Sequence, residues 1–179
     1  MKKSFVLITS VLATFLFANK SFAQEVDEEL VMVNRWYNPE SKNFVTLADG
    51  EYQEGQILNW GWKDKIGLFY AYRNPGEGRI AVNSWFNPVT QDYASVAEDE
   101  YTDDQMIKMG YKDKKVQYYA LTHRGPNTVT VYRWKKDHDW VTIADDGDTD
   151  AYLKKGYRHK TFQYFGIARN LDAPIYNQL

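Results

Sequence analysis

The sequence predicts a mainly β protein with short helices, in which three β-β-α-β repeats share one core in a β-trefoil-like, pseudo-three-fold arrangement. Two spacings and one recurring order carry that expectation. Trp36, Trp85 and Trp134 recur at a constant interval of 49 residues, and Gly61, Gly110 and Gly156 at intervals of 49 and 46. Around these anchors each stretch runs through the same order of apolar alternation, turn residues, a polar cluster and an apolar run. A unit of this size cannot bury its own apolar face, so three must pool theirs. An open row of stacked units is the second arrangement the repeats allow; it would leave two exposed ends.

The single domain spans residues 31–179, divided into repeats at 31–79, 80–128 and 129–179. Each repeat opens with a strand carrying Val-x-Val or its equivalent (Val31 and Val33, Ile80 and Val82, Val129 and Val131), followed by the recurring tryptophan. Asn38-Pro39 and Asn87-Pro88 then make a corner, because proline fixes φ; the third repeat has the shorter Lys135-Lys136-Asp137-His138. A second short strand is expected around Phe44-Val45-Thr46, Tyr93-Ala94-Ser95 and Trp140-Val141-Thr142. A short helix comes next. In the second repeat Thr102 and Gln105 have the spacing of a capping box. The three glycines stand where a left-handed residue ends a helix. Last strands are expected at Leu68–Tyr72, Gln117–Leu121 and Gln163–Ile167, and their apolar character predicts burial on both faces. Their small residues, Ala71, Ala120 and Gly166, predict close approach of backbone, and Ile175-Tyr176 is a candidate closing strand.

Ahead of the domain, residues 1–23 read as a secretion signal. Lys2 and Lys3 precede an apolar run from Phe5 to Ala18, and Ser21-Phe22-Ala23 offers small residues at a cleavage site. The run is short for a bilayer span, which needs about 20 residues. Residues 24–30 form an acidic lead-in. Export to a periplasm or to the medium is therefore expected, with no membrane span in the mature chain. The 179 residues hold 22 Lys+Arg, 24 Asp+Glu and no cysteine. This excludes a disulfide framework and thiolate metal sites, and it argues against nucleic acid, which calls for a basic excess. A monomer without a cofactor is expected.

The pattern Arg-Trp-Tyr-Asn-Pro, then Phe-x-Thr, an acidic residue, and Gly-Trp before Phe-Tyr resembles a bacterial and fungal repeat family of unknown function. Its repeats typically occur in threes, often appended to secreted hydrolases. The resemblance covers essentially the whole mature chain and implies an extracytoplasmic accessory module. Members usually carry a histidine at the start of the second strand and a glutamate before the helix. Here the histidine position holds Asn43, Asp92 and Asp139, and the glutamate position holds Glu51 and Glu100 with no clear third member.

No catalytic constellation stands out. His123, His138 and His159 share no metal-ligand spacing, and no nucleophile elbow or phosphate-cradling loop is present. Carboxylates are plentiful, and Glu51 with Glu100 is one pair that could be nominated for glycosidase-type chemistry, the third functional option. Repetition of one set of groups suits a multivalent binder better than an active site, which assigns different roles to different residues. A non-enzymatic module for cell-wall or extracellular glycan is the leading expectation, since aromatic faces and acids suit sugars. The candidate ligand-binding residues are Asp49, Glu98 and Asp145 after the second strand, Asn43, Asp92 and Asp139 at its start, Trp60, and the aromatics after the glycines, Trp62, Tyr111 and Tyr157. These last three compete with a capping role, packing on Ile57, Met106 and Tyr152. The alternative is a protein-interaction or inhibitory domain acting through the loops Arg73–Arg79 and Thr122–Thr128.

Overall fold

The computed structural model describes residues 30–137, 139–145 and 149–169. The expected secretion signal, the acidic lead-in up to residue 29, His138 and the closing strand at Ile175-Tyr176 fall outside the described residues. Those described form a mainly β structure with three short helices. In chain order the elements are β1 (Leu30–Asn38), β2 (Asn43–Ala48), α1 (Glu54–Asn59), β3 (Lys63–Tyr72), β4 (Arg79–Asn87), β5 (Asp92–Ala97), α2 (Asp103–Lys108), β6 (Lys112–Leu121), β7 (Thr128–Lys136), β8 (Asp139–Ala144), α3 (Thr149–Lys154) and β9 (Arg158–Ile167). None of these helices is long and apolar enough to cross a membrane.

β1 lies antiparallel between β2 and β3, β4 between β5 and β6, and β7 between β8 and β9. Near their C-terminal ends the third strands pair with one another: Tyr72 opposite Tyr119, Leu121 opposite Phe165, and Tyr70 opposite Ile167. All nine strands thus belong to one antiparallel sheet, with β2, β5 and β8 outermost.

Local chemistry accounts for the corners. Asn38 Oδ1 accepts the backbone N–H groups of Glu40 and Ser41 at 2.9 and 3.2 Å, and Asn87 Oδ1 those of Val89 and Thr90 at 3.0 and 3.2 Å. The same side chains tie each hairpin to a helix end: Asn38 Nδ2 donates to the Trp60 carbonyl at 3.4 Å and Asn87 Nδ2 to that of Met109 at 3.2 Å. The capping box forms as the spacing predicts, with Gln105 N–H donating to Thr102 Oγ1 at 3.3 Å and Thr102 N–H to Gln105 Oε1 at 2.8 Å. Gly61, Gly110 and Gly156 have φ of 85, 90 and 91°. The next N–H donates back to the carbonyls of Ile57, Met106 and Tyr152 at 3.3, 3.0 and 3.1 Å, which is the Schellman ending.

The last strands differ from expectation. Each is ten residues long, its first four residues exposed or nearly so, and burial alternates only in the second half. A left-handed residue near each start (Asp64, Asp113 and His159, φ 51, 58 and 57°) bulges the strand, and its register against the first strand shifts. Charged residues such as Lys63 and Lys65 therefore stay in the ladder while facing water. Burial on both faces belongs instead to β2, β5 and β8, whose residues are almost all buried.

The central core draws on all three segments. Phe69, Tyr118 and Tyr164 meet edge to face with ring centroids 6.0, 6.1 and 6.2 Å apart, and the two tyrosine hydroxyls lie 2.7 Å from each other. Val33, Val82 and Val131 pack against them, fully buried. Gly166 bears out the expected close approach, for a Cβ there would sit 2.6 Å from Phe69 Cγ. Trp36, Trp85 and Trp134 are buried in three smaller clusters, each covered by a lysine (Lys65, Lys114, Lys160) with its ammonium 5.4 to 5.7 Å from the ring.

Candidate functional site

The residue after each second-strand start determines where that start lies. Phe44 packs with Trp134, Tyr152 and Tyr157; Tyr93 with Trp36, Ile57 and Trp62; Trp140 with Trp85, Met106 and Tyr111. Each aromatic is thus inserted into the cluster of a different segment, and it draws the preceding residue inward. Asn43, Asp92 and Asp139, 49 and 47 residues apart in sequence, come to line a single pocket of about 390 Å³. Ser41, Lys42, Thr90, Lys136 and Asp137 complete its lining.

Two carboxylates form its floor. Asp92 is 1 % exposed and Asp139 8 %. Tyr111 donates its hydroxyl to Asp92 Oδ2 at 2.5 Å, and Tyr157 donates to Asp139 Oδ2. Burial pushes Asp92 up to about 7; the Asp139 charge adds to that rise, while Tyr111 and the N–H groups of Trp140 and Tyr93 oppose it. Asp139 is pushed up to about 6 by burial, against Tyr157, the Phe44 N–H and the charge of Lys136. Burial foremost, and then the neighbouring carboxylates, push both phenols well above the usual tyrosine range, so they stay protonated and donate. Oδ1 of Asp92 and Oδ1 of Asp139 are buried without a hydrogen bond of good geometry, and so is Oγ1 of Thr90. Buried acceptors in that condition are costly and call for a donor.

The other predicted residues lie elsewhere. Asp49 Oδ1 accepts from Asn34 Nδ2 at 2.8 Å and pairs with Lys65 at 3.2 Å, in a separate hollow of about 290 Å³ beside Trp36, Tyr52 and Glu54. Asp145 pairs with Lys160 at 3.6 Å. Glu98 is exposed, and Lys114 turns to Asp103 at 2.8 Å. These acids serve their own segments and do not meet at the pocket. Trp60 is 51 % exposed, edge-on to Tyr52 at 5.1 Å. Trp62, Tyr111 and Tyr157 are buried, so their rings are closed to ligand stacking; they pack beneath the helix ends instead. Glu51 and Glu100 are spent separately. Glu51 Oε2 accepts from Gln117 Nε2 at 3.0 Å, and Glu100 forms a 2.5 Å ion pair with Arg133, itself stacked 4.2 Å from Trp140. Among the described residues no three His, Asp or Glu gather to hold a metal ion.

Sequence reasoning missed the role of Tyr111 and Tyr157 as hydroxyl donors, and with it Thr90, Lys42 and Lys136. A signal was present. The two segments with an acid at the strand start have tyrosine after the glycine, and the segment with Asn43 has Trp62, which lacks a hydroxyl.

With that geometry in place, the chain's kinship can be stated: it belongs to the family of a domain of unknown function (DUF5648), which matches residues 32–167. No curated protein and no solved structure matches it significantly.

Proposed function

We propose that the protein is an exported, non-catalytic binding module for cell-wall or extracellular glycan, with the pocket floored by Asp92 and Asp139 as its site. One observation carries this reading: three matching strand starts meet at one pocket and leave two buried carboxylate oxygens there without a well-aligned hydrogen bond. Sugar hydroxyls are donors of the required kind, and the pocket has room for a ring rather than for a bare ion. The three segments are repeats in a trefoil-like three-fold arrangement, a reading supported by the mutual pairing of β3, β6 and β9 and by the cyclic exchange of Phe44, Tyr93 and Trp140. The apolar run of residues 5–18 supports export.

A binding role fits better than hydrolysis. An acid and a base acquire their roles from contrasting environments. Asp92 and Asp139 have like ones, each with a tyrosine hydroxyl and a backbone N–H from another segment. Glycan-array and polysaccharide pull-down assays on the purified protein test the proposal, with Asp92→Asn and Asp139→Asn as controls. Retention on one glycan class, lost in both variants, is the expected result. Indifference to every sugar and wall preparation, with a stoichiometric protein co-purifying instead, would favour an interaction or inhibitory domain.

A further inference from the structure

The rim of the pocket has a different chemistry from its floor. Lys42 sits at the β1–β2 corner with φ of 60°, and Lys136 ends β7 with its ammonium 5.9 Å from the Tyr157 ring centre. Both line the same pocket as Asp92 and Asp139. Four cations outside the pocket are paired with acids: Arg133 with Glu100, Lys65 with Asp49, Lys114 with Asp103 and Lys160 with Asp145. Among the described residues no carboxylate lies within ion-pair distance of Lys42 or Lys136; Asp137 shares the rim with them, and the charge of Lys136 acts on Asp139 below. A bare divalent cation suits this pocket poorly, since it would meet two ammonium groups, and Asp92, Asp137 and Asp139 do not gather into a set that could hold a metal ion.

We infer that the ligand is an acidic glycan, its ring hydroxyls donating to Asp92 Oδ1 and Asp139 Oδ1 while a sugar carboxylate meets Lys42 and Lys136 at the rim. The inference rests on the pocket proposed above and deepens it by naming the charge of the sugar. Two exposed carboxylate–ammonium contacts at the rim, each of about threefold, correspond to about a tenfold preference for the charged sugar.

Calorimetric titration of the purified protein with oligogalacturonate and oligomannuronate, each beside its methyl-esterified form, tests it. Esterification keeps the ring and removes the charge. Tighter binding of one free acid over its ester by about tenfold, reduced to about threefold in Lys42→Ala or Lys136→Gln and to near parity in the double variant, is the expected result, and the preference should shrink as salt is raised. Asp92→Asn should weaken acid and ester alike. Equal affinity for acid and ester, or a preference that survives in the double variant, overturns the inference and leaves the glycan pocket standing. Binding of neither form of either sugar overturns the inference, and the neutral glycans of the array then decide the pocket separately. Circular dichroism of the lysine variants, both altered at exposed side chains, checks that the fold is kept.

Discussion

Replacing Gly166 by alanine tests the shared core at its tightest point. The new Cβ would come within 2.6 Å of Phe69 Cγ and 2.8 Å of Phe69 Cβ, and Phe69 is fully buried against Tyr118 and Tyr164. The ring cannot retreat without displacing its neighbours, so this is overpacking, which costs about 1–3 kcal/mol. Loss of glycine's backbone freedom acts in the opposite direction by about 0.5–1 kcal/mol. The net destabilisation is about 0–2.5 kcal/mol, or up to about 10 °C in melting temperature. Gly55 supplies the control, because a Cβ there meets nothing within 4 Å. Gly55→Ala in α1 should stabilise by about 0.4–1 kcal/mol. Urea denaturation of both variants reads the two signs directly through the midpoint at constant slope. Phe69→Ala, which removes Cγ and the ring, should then relieve most of the Gly166→Ala penalty, a coupling that a double-mutant cycle measures. If Gly166→Ala proves as stable as Gly55→Ala, the packing of the three aromatics is not as described.

Three further outcomes are expected. Asp92 and Asp139 are raised to about 7 and about 6, so between about pH 4 and 7 the folded state holds protons that the unfolded chain has released. Their contribution to stability therefore falls as pH rises through that window, and the stability of Asp92→Asn relative to the parent should increase from pH 4 to pH 7; urea midpoints across pH that stay parallel would contradict this. Tyr118→Phe should cost about 1 kcal/mol by removing the hydroxyl 2.7 Å from that of Tyr164, and adding Tyr164→Phe should recover part of that loss, as thermal melts of the single and double variants would report. Glu100→Ala should cost about 3–5 kcal/mol, because it strands the buried Arg133 guanidinium. Asp103→Ala, which loses only the more exposed pair with Lys114, should cost under about 1 kcal/mol in the same denaturation assay.

Local structure was legible wherever a short-range rule applies. Thr102 with Gln105, Asn38-Pro39 and the three glycines mark their elements because caps and turns depend on neighbours in sequence. The third strands were read too short, since Lys63-Asp64-Lys65 and its counterparts show no apolar alternation while a bulge keeps them paired. The site was legible only as three equivalent positions. That Asn43, Asp92 and Asp139 line one pocket depends on which cluster receives Phe44, Tyr93 and Trp140, and the sequence spacing is the same whether an aromatic packs within its own segment or in another. Asp49 and Asp145 were as regular as the true pocket residues, yet each is held by a lysine. Regular spacing reports equivalence and not function.

The most direct measurement is a carboxyl-carbon NMR titration of Asp92 and Asp139, alone and with the glycan that the array identifies. Alone, the two carboxyls should titrate near 7 and 6, and the added sugar should shift both resonances and lower both midpoints, since hydroxyl donors favour the charged forms. Midpoints near 4, or resonances indifferent to a glycan that the protein demonstrably binds, would contradict the account.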